Sequence, residues 1–429
     1  MAARRVRNES NETTPIYRLP NEMICEIFKH LPKERWARHK FLASISGTSS
    51  LWRHVALCTP SLWSTITLYP SCASRSMTKF RTLRAIDMVR IYLERVGSTI
   101  SIDLWLDFRV PTAILPSDLI VPFLLRNIHR CESLTIQADW CNIPGLLPLS
   151  GYLHSLRNLK FRMEGLSTST QTTPHLLHSS SELHLHSLSI WGFMQLTWPN
   201  IHWESLSHLT LFGVGMRPYE LFETVLRRCT NLISLQGDLA VMDDPPQLAL
   251  GRIEFPCLTL LAMAQFSYFP LFLIRAPQLL HLRIRESGPR YNVDFTEFPL
   301  LRTIVFPLTH YRQFLLETCP NLAAVELLAE EPAADILKAF APDSLEANMM
   351  PYPALARIRL RIHQIGIPAF RRTIWTSLER ILHQRPHLSL EIEATPRFID
   401  GVKDLFSMFP GRVRVVEDFA EEPPLSDLF

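Results

Sequence analysis

From residue 156 onward one apolar rhythm keeps returning along the chain: an apolar residue, two others, an apolar residue, one other, an apolar residue. It runs through Leu156/Leu159/Phe161, Leu185/Leu188/Ile190, Leu206/Leu209/Leu211, Leu258/Leu261/Met263, Leu279/Leu282/Ile284, Leu301/Ile304/Phe306, Leu322/Val325/Leu327 and Leu355/Ile358/Leu360, with a partial copy at Leu232/Leu235. The central positions 159, 188, 209, 235, 261, 282, 304, 325 and 358 lie 29, 21, 26, 26, 21, 22, 21 and 33 residues apart. Period-two alternation is a strand with one buried face. No single copy can bury that face alone, so the copies must stack their strands in parallel as one apolar ladder.

Helical patterns fall between the strands. Tyr219 to Cys229 sets Leu221, Phe222, Val225, Leu226 and Cys229 on one face; Tyr311 to Cys319 repeats the idea, as does Thr373 to His383 through Ile374, Leu378, Ile381 and Leu382. The junctions Cys229-Thr230-Asn231-Leu232, Cys319-Pro320-Asn321-Leu322 and Ala276-Pro277-Gln278-Leu279 are alike, with a small residue where helix and strand layer approach. Further strands are expected at Ile100 to Leu106, Ser133 to Ile136 and Arg412 to Val416, and residues 237–256 and 331–353 read as insertions.

The first seventy residues follow another rule. Ile24, Ile27, Phe28 and Leu31 share one face of a short helix. Pro20 suits its first turn and Pro32 ends it. A middle helix is expected from Trp36 to Ile45, and a third short helix begins at Ser50. A proline turn at Pro60 and a strand from Ser64 to Leu68 come next. The run Leu19-Pro20-Asn21-Glu22-Met23-Ile24-Cys25-Glu26-Ile27-Phe28-Lys29-His30-Leu31-Pro32, then Trp52-Arg53-His54-Val55-Ala56 and Thr59-Pro60-Ser61-Leu62-Trp63, resembles the F-box in its fungal form over residues 16–69. The repeats beyond it look like the leucine-rich-repeat arc often joined to an F-box. The asparagine that usually follows the strand is missing, replaced by Trp191-Gly192-Phe193 and Phe212-Gly213-Val214.

The fold class expected is therefore α/β: a three-helix F-box followed by an irregular leucine-rich-repeat solenoid with outer helices. The division is a disordered leader (1–15), the F-box (16–69), a linker with first repeat elements (70–95), the solenoid (96–417) and an acidic tail (418–429). The resemblance implies that Leu19, Pro20, Glu22, Ile24, Ile27, Phe28, Leu31, Pro32, Trp52 and Arg53 bind the Skp adaptor of cullin–RING ubiquitin ligases. It implies a non-catalytic substrate receptor whose arc holds a protein target. A rival reading is an interaction scaffold whose F-box-like head only caps the repeats.

Composition removes other classes. A net charge of +3 gives no mandate for nucleic acid or a membrane surface, and no apolar run is long enough to span a bilayer. Thirty-two prolines against 14 glycines leave little for phosphate-cradling loops. The eight cysteines form no C-x-x-C pair and residues 1–15 have no apolar core, so reduced thiols in the cytoplasm or nucleus are expected, with no metal and no cofactor. G-x-S-x-G, P-loop, G-x-G-x-x-G and H-E-x-x-H motifs are all missing, which leaves catalysis without a foothold.

On the strand face opposite the ladder, Lys160, Arg162, Arg283, Arg285, Arg359 and Arg361 could grip an acidic or phosphorylated segment, unless Glu326, Glu391 and Glu393 dilute them. Trp191 and Phe212 on that face are alternative aromatic anchors for a target peptide. The histidines His175, His178, His184 and His186 alternate with leucines and lack a carboxylate or thiol to complete a metal set, so a surface or packing role is expected.

Overall fold

The structure, a computed structural model, describes residues 15–30, 35–68, 78–108, 117–139, 153–164, 182–192, 201–213, 224–237, 252–265, 274–286, 295–307, 319–329, 337, 340, 352–362, 368–394 and 407–416. The chain divides into two compact units, residues 1–185 with 196–202 and residues 186–195 with 203–429.

The first unit opens with a 3-10 turn, Pro15–Arg18, and helix α1, Asn21–Lys29. Pro20 precedes α1 at φ −55°, and its carbonyl accepts from the N–H groups of Met23 and Ile24. Helices α2 (Arg35–Thr48) and α3 (Ser50–Leu57) come after it. Ser49 caps α3, its hydroxyl accepting from the Trp52 N–H at 3.1 Å, which satisfies a donor that the first turn leaves open. The Pro60–Leu62 turn then delivers strand β1 (Thr65–Leu68).

Strand β1 is more than a trailing edge of the helical head. It pairs in parallel with β2 (Ile102–Phe108), Ile66 beside Leu104 and Leu68 beside Leu106. Helix α4 (Thr78–Val96) makes the crossover, burying Ile86, Val89, Tyr92 and Val96 on one stripe. Most of the span expected as linker and first repeat elements is thus this helix. After α5 (Ser117–Leu125), strands β3 (Cys131–Asp139) and β4 (Asn158–Glu164) extend the sheet. The apolar row Ile66, Leu104, Leu134, Leu159 runs across all four strands.

Among the described residues the second unit carries ten parallel strands: β5 (Ser187–Trp191), β6 (His208–Phe212), β7 (Ser234–Gly237), β9 (Leu260–Gln265), β11 (His281–Glu286), β12 (Thr303–Pro307), β13 (Ala324–Ala329), β14 (Arg357–Ile362), β15 (Ser389–Ala394) and β16 (Val413–Val416). Two short strands, β8 (Ile253–Glu254) and β10 (Ile274–Arg275), pair separately. Each ladder leucine holds one register, so Leu188, Leu209, Leu235, Leu261, Leu282, Ile304, Val325, Ile358 and Leu390 form a continuous buried row. Long parallel stacking fits the repeat pattern.

The first apolar residue of each copy has its own task. Its N–H closes a bend onto the carbonyl three residues earlier: Leu206 onto Trp203, Leu232 onto Cys229, Leu258 onto Phe255, Leu279 onto Ala276, Leu301 onto Phe298, Leu322 onto Cys319 and Leu355 onto Tyr352. Every one of those acceptor residues is buried. Asn231 and Asn321 then reach back, their side-chain N–H groups donating to the carbonyls of Glu204 and Pro299 in the preceding copy at 2.8 and 2.9 Å. Burial pushes the Cys229 thiol up to about 12, so it serves as a small apolar filler.

Of the helices expected between strands, residues 373–383 lie within α6 (Pro368–Gln384), with Ile374, Leu378, Ile381 and Leu382 inside. Of the helix expected over 219–229, residues 224–229 are described and hold a 3-10 turn, Leu226–Arg228, with Val225, Leu226 and Cys229 buried; residues 219–223, most of 311–319, the leader to residue 14, the tail from 418, and most of the two expected insertions lie outside the described residues. Among the described residues no helix is long and apolar enough to cross a membrane.

Candidate functional site

In the helical head, Ile24 and Phe28 of α1 are each 1% exposed. Phe28 meets the Trp52 ring edge-on, 5.5 Å between centroids. These two apolar residues, expected on the adaptor-facing surface, therefore pack the interior of the head. A helical face that must be buried need not be buried by a partner, and here the chain covers it itself.

Ile27 lies on the other side. It is 44% exposed, and Met23, one turn earlier on the same helix, is 52% exposed. Phe41 on α2 and Leu57 on α3 are also large apolar side chains facing solvent. Leu19 is half-buried; Pro20, Glu22 and Arg53 are exposed, the Arg53 Nε–H donating to the Ser46 carbonyl at 2.6 Å. Leu31 and Pro32 lie outside the described residues. Sequence reasoning missed Met23, Phe41 and Leu57; the i, i+4 spacing of Met23 with Ile27 was the available signal for the first.

Trp63 fastens the head to helix α4. It is 2% exposed, its indole N–H donates to the Ala56 carbonyl at 2.7 Å, and its ring meets Tyr92 of α4 at 5.0 Å, edge-on. The Arg95 guanidinium lies 4.0 Å from the Trp63 ring centroid. One side chain thus ties α3, the proline turn and α4 together.

Two of the arginines expected to grip an acidic target, Arg359 and Arg361 of β14, are engaged by the chain's own carboxylates on β13 and β15. Arg361 Nε lies 2.8 Å from Glu326 and 3.0 Å from Glu393, while Arg359 lies 3.0 Å from Glu393 and 3.6 Å from Glu391. Parallel register causes this, setting Glu326 beside Arg359 and Glu391 in turn. Arg361 and Glu393 are 9% and 5% exposed, so the pairing is internal. Arg359 and Arg361 are therefore both held in ion pairs across the sheet. Lys160, Arg162 and Arg283 are half-buried on their strands, and the Arg285 side chain lies outside the described residues.

Trp191 and Phe212 come together. They sit opposite each other on β5 and β6 with rings stacked at 4.1 Å and 24°. Both are half-buried, and the Trp191 N–H donates to the Ser189 hydroxyl at 2.9 Å. Each is followed by a glycine with positive φ, Gly192 at 111° and Gly213 at 63°, and the Gly192 N–H donates to the Phe212 carbonyl. An L side chain would be strained at either position.

The histidines are divided. His184 packs beside His202, 4.8 Å between rings, and His186 beside His208 at 5.6 Å. The Ser207 hydroxyl sits within hydrogen-bond reach of His208 Nδ1 (2.6 Å) and His186 Nε2 (3.0 Å). Burial, and secondly the field of His186, hold the His208 imidazole below its ordinary value. Among the described residues no group of three metal-ligating side chains forms, while His175 and His178 lie outside them.

Residues 16–69 match the family model of the F-box-like domain. No curated protein matches the chain. The chain thus carries an F-box-like domain, a protein-interaction module typical of non-catalytic adaptor subunits, ahead of stacked parallel strands.

Proposed function

We propose that the chain is the substrate-recognition subunit of a Skp–cullin–F-box ubiquitin ligase, acting in the cytoplasm or nucleus. The F-box-like head binds the Skp adaptor, and the leucine-rich-repeat-like strands hold a protein target. The carrying observation is α1, which buries Ile24 and Phe28 within the head and leaves Met23 and Ile27 about half exposed. Apolar side chains so placed are the mark of a covered surface. The mechanism is positioning: holding the target near a ubiquitin-charged enzyme raises the effective concentration of its lysines, with no chemistry by this chain.

Co-purification of the full chain with the Skp adaptor tests this. Covering a half-exposed Met or Ile side chain contributes about 1 kcal/mol, so Met23→Ser with Ile27→Ser should weaken capture roughly thirtyfold. Both positions are exposed, so the fold should persist. No capture by the wild-type chain, or equal capture by the double variant, rejects the proposal.

The pairing of β1 with β2 favours a second reading, in which the head exists to cap the strand ladder and binds no ligase. The same experiment separates the two.

A further inference from the structure

The structure assigns Cys58 of the head as a site of reversible thiol modification. With His54 as its proton acceptor, it exchanges with a low-molecular-weight disulfide of the glutathione class. The site stands apart from the receptor reading above. Cys58 closes α3 and His54 stands one turn earlier, a spacing that puts both side chains on one face. The Cys58 N–H donates to the His54 carbonyl at 2.9 Å, which holds that spacing. The sulfur lies 3.7 Å from Nε2 and 3.9 Å from Nδ1 of the imidazole, within reach of a sulfur hydrogen bond. Both residues are exposed, so a reagent reaches them from water.

The other described cysteines lack one half of this setting. Cys131 and Cys229 are buried, and burial pushes both thiols up to about 12, which keeps them protonated; Cys319 is buried as well. Cys25 is half-buried, its sulfur 3.1 Å from the Thr59 hydroxyl. That hydroxyl donates to the Val55 carbonyl, so the Cys25 S–H points into a neutral oxygen and not a base. Cys257 is exposed at the bend between Phe255 and Leu258, and no imidazole is hydrogen-bonded to it. Among the described cysteines, Cys58 alone joins exposure to a base.

In the exchange His54 takes the Cys58 proton, and the thiolate attacks one sulfur of the reagent. A Cys58–sulfur bond forms as the reagent's own S–S bond breaks, and the departing thiolate takes the proton back from His54. Cys58 is oxidised to a mixed disulfide while the departing half is reduced to a thiol, so no further oxidant is needed. His54 stands in the last turn of α3, the end of a helix that favours the imidazolium formed in transit. The product sets a charged, removable group next to Leu57, one of the exposed apolar side chains of the head.

The test incubates the purified, fully reduced full chain with oxidised glutathione, quenches aliquots with an alkylating agent, and reads each cysteine separately by peptide mapping in a mass spectrometer. Cys257 is the control within the same molecule. Cys58 should be modified roughly tenfold faster than Cys257, and dithiothreitol should return it to the thiol. His54→Gln should remove most of that lead and leave the Cys257 rate unchanged, an effect that a loss of packing alone would not produce. Equal rates at Cys58 and Cys257 in the wild-type chain, or an unchanged Cys58 rate in His54→Gln, overturn the proposal. His54 is exposed, so its replacement should leave the fold intact. Should that variant fold poorly, the two cysteines of the wild-type chain still decide.

Discussion

Replacing Trp63 by phenylalanine keeps an aromatic ring in the same pocket and removes the indole N–H. The bond lost, to the Ala56 carbonyl at 2.7 Å, is buried. A hydrogen bond of this kind contributes about 1 kcal/mol net, and the Ala56 carbonyl keeps a weaker donor in the Thr59 N–H at 3.3 Å, so no large orphan penalty is added. The smaller ring leaves a void costing about another 1 kcal/mol. Arg95 loses a few tenths of a kcal/mol by facing benzene instead of indole. The sum is about 2 kcal/mol, whereas Trp63→Ala should cost about 3–5 kcal/mol. Urea denaturation followed by far-UV circular dichroism gives the totals, and amide hydrogen exchange locates them: protection should fall together in α3, the proline turn and α4. Adding Tyr92→Leu to Trp63→Leu should show a coupling of about 0.5–1.5 kcal/mol, as for an edge-on aromatic pair. A Trp63→Phe chain within about 0.5 kcal/mol of wild type, or exchange that rises in α3 but not in α4, refutes the tie.

Three further outcomes are expected from the same structure. Trp52→Phe should shift the urea midpoint little or upward, because the buried Trp52 indole N–H has no hydrogen-bond partner among the described residues and removing it relieves a desolvation cost. Arg361→Met should destabilise the second unit by about 1–3 kcal/mol, because buried Glu393 then keeps only Arg359 as its counter-ion, and adding Glu393→Gln should recover part of that loss; equal stability of the single and double variants would contradict the pairing. His208 is held below its ordinary value in the folded chain, so as pH falls below 6.5 the unfolded chain takes up a proton that the folded one resists. Stability is full above 6.5 and declines toward the lowered folded value, and His208→Gln should flatten that slope in denaturation series at pH 7.5 and 5.5.

Much of the strand ladder was legible because leucine spacing alone carries it: the first leucine closes a bend and the next two face the core. Strand β15 escaped because its apolar residues, Leu388, Leu390 and Ile392, stand at every second position. Leu388 closes its bend onto Arg385, only two residues before the central Leu390 and not three. Helix α4 escaped because Leu83, Met88 and Ile91 point outward among Arg84, Asp87 and Arg90, which blurs the inner stripe. For the candidate sites the limit is different. Periodicity identifies Ile24 and Phe28 as residues that must be covered, but not whether the chain or a partner covers them. Likewise Arg359 and Arg361 read as surface cations until parallel pairing brings Glu326 and Glu393, more than thirty residues distant, within ion-pair range. Trp191 and Phe212 were legible as a pair because a strand period of two and a repeat of 21 residues set them side by side.

Because β1 is a full member of the first unit's sheet, scissors placed at residue 69 would cut through a folded core. A peptide ending there would lose Tyr92 and Arg95 from around Trp63 and leave Ile66 and Leu68 bare. The shortest piece expected to stay soluble and monomeric runs through Phe108, and transplanting the head onto another receptor would have to carry α4 and β2 along with it.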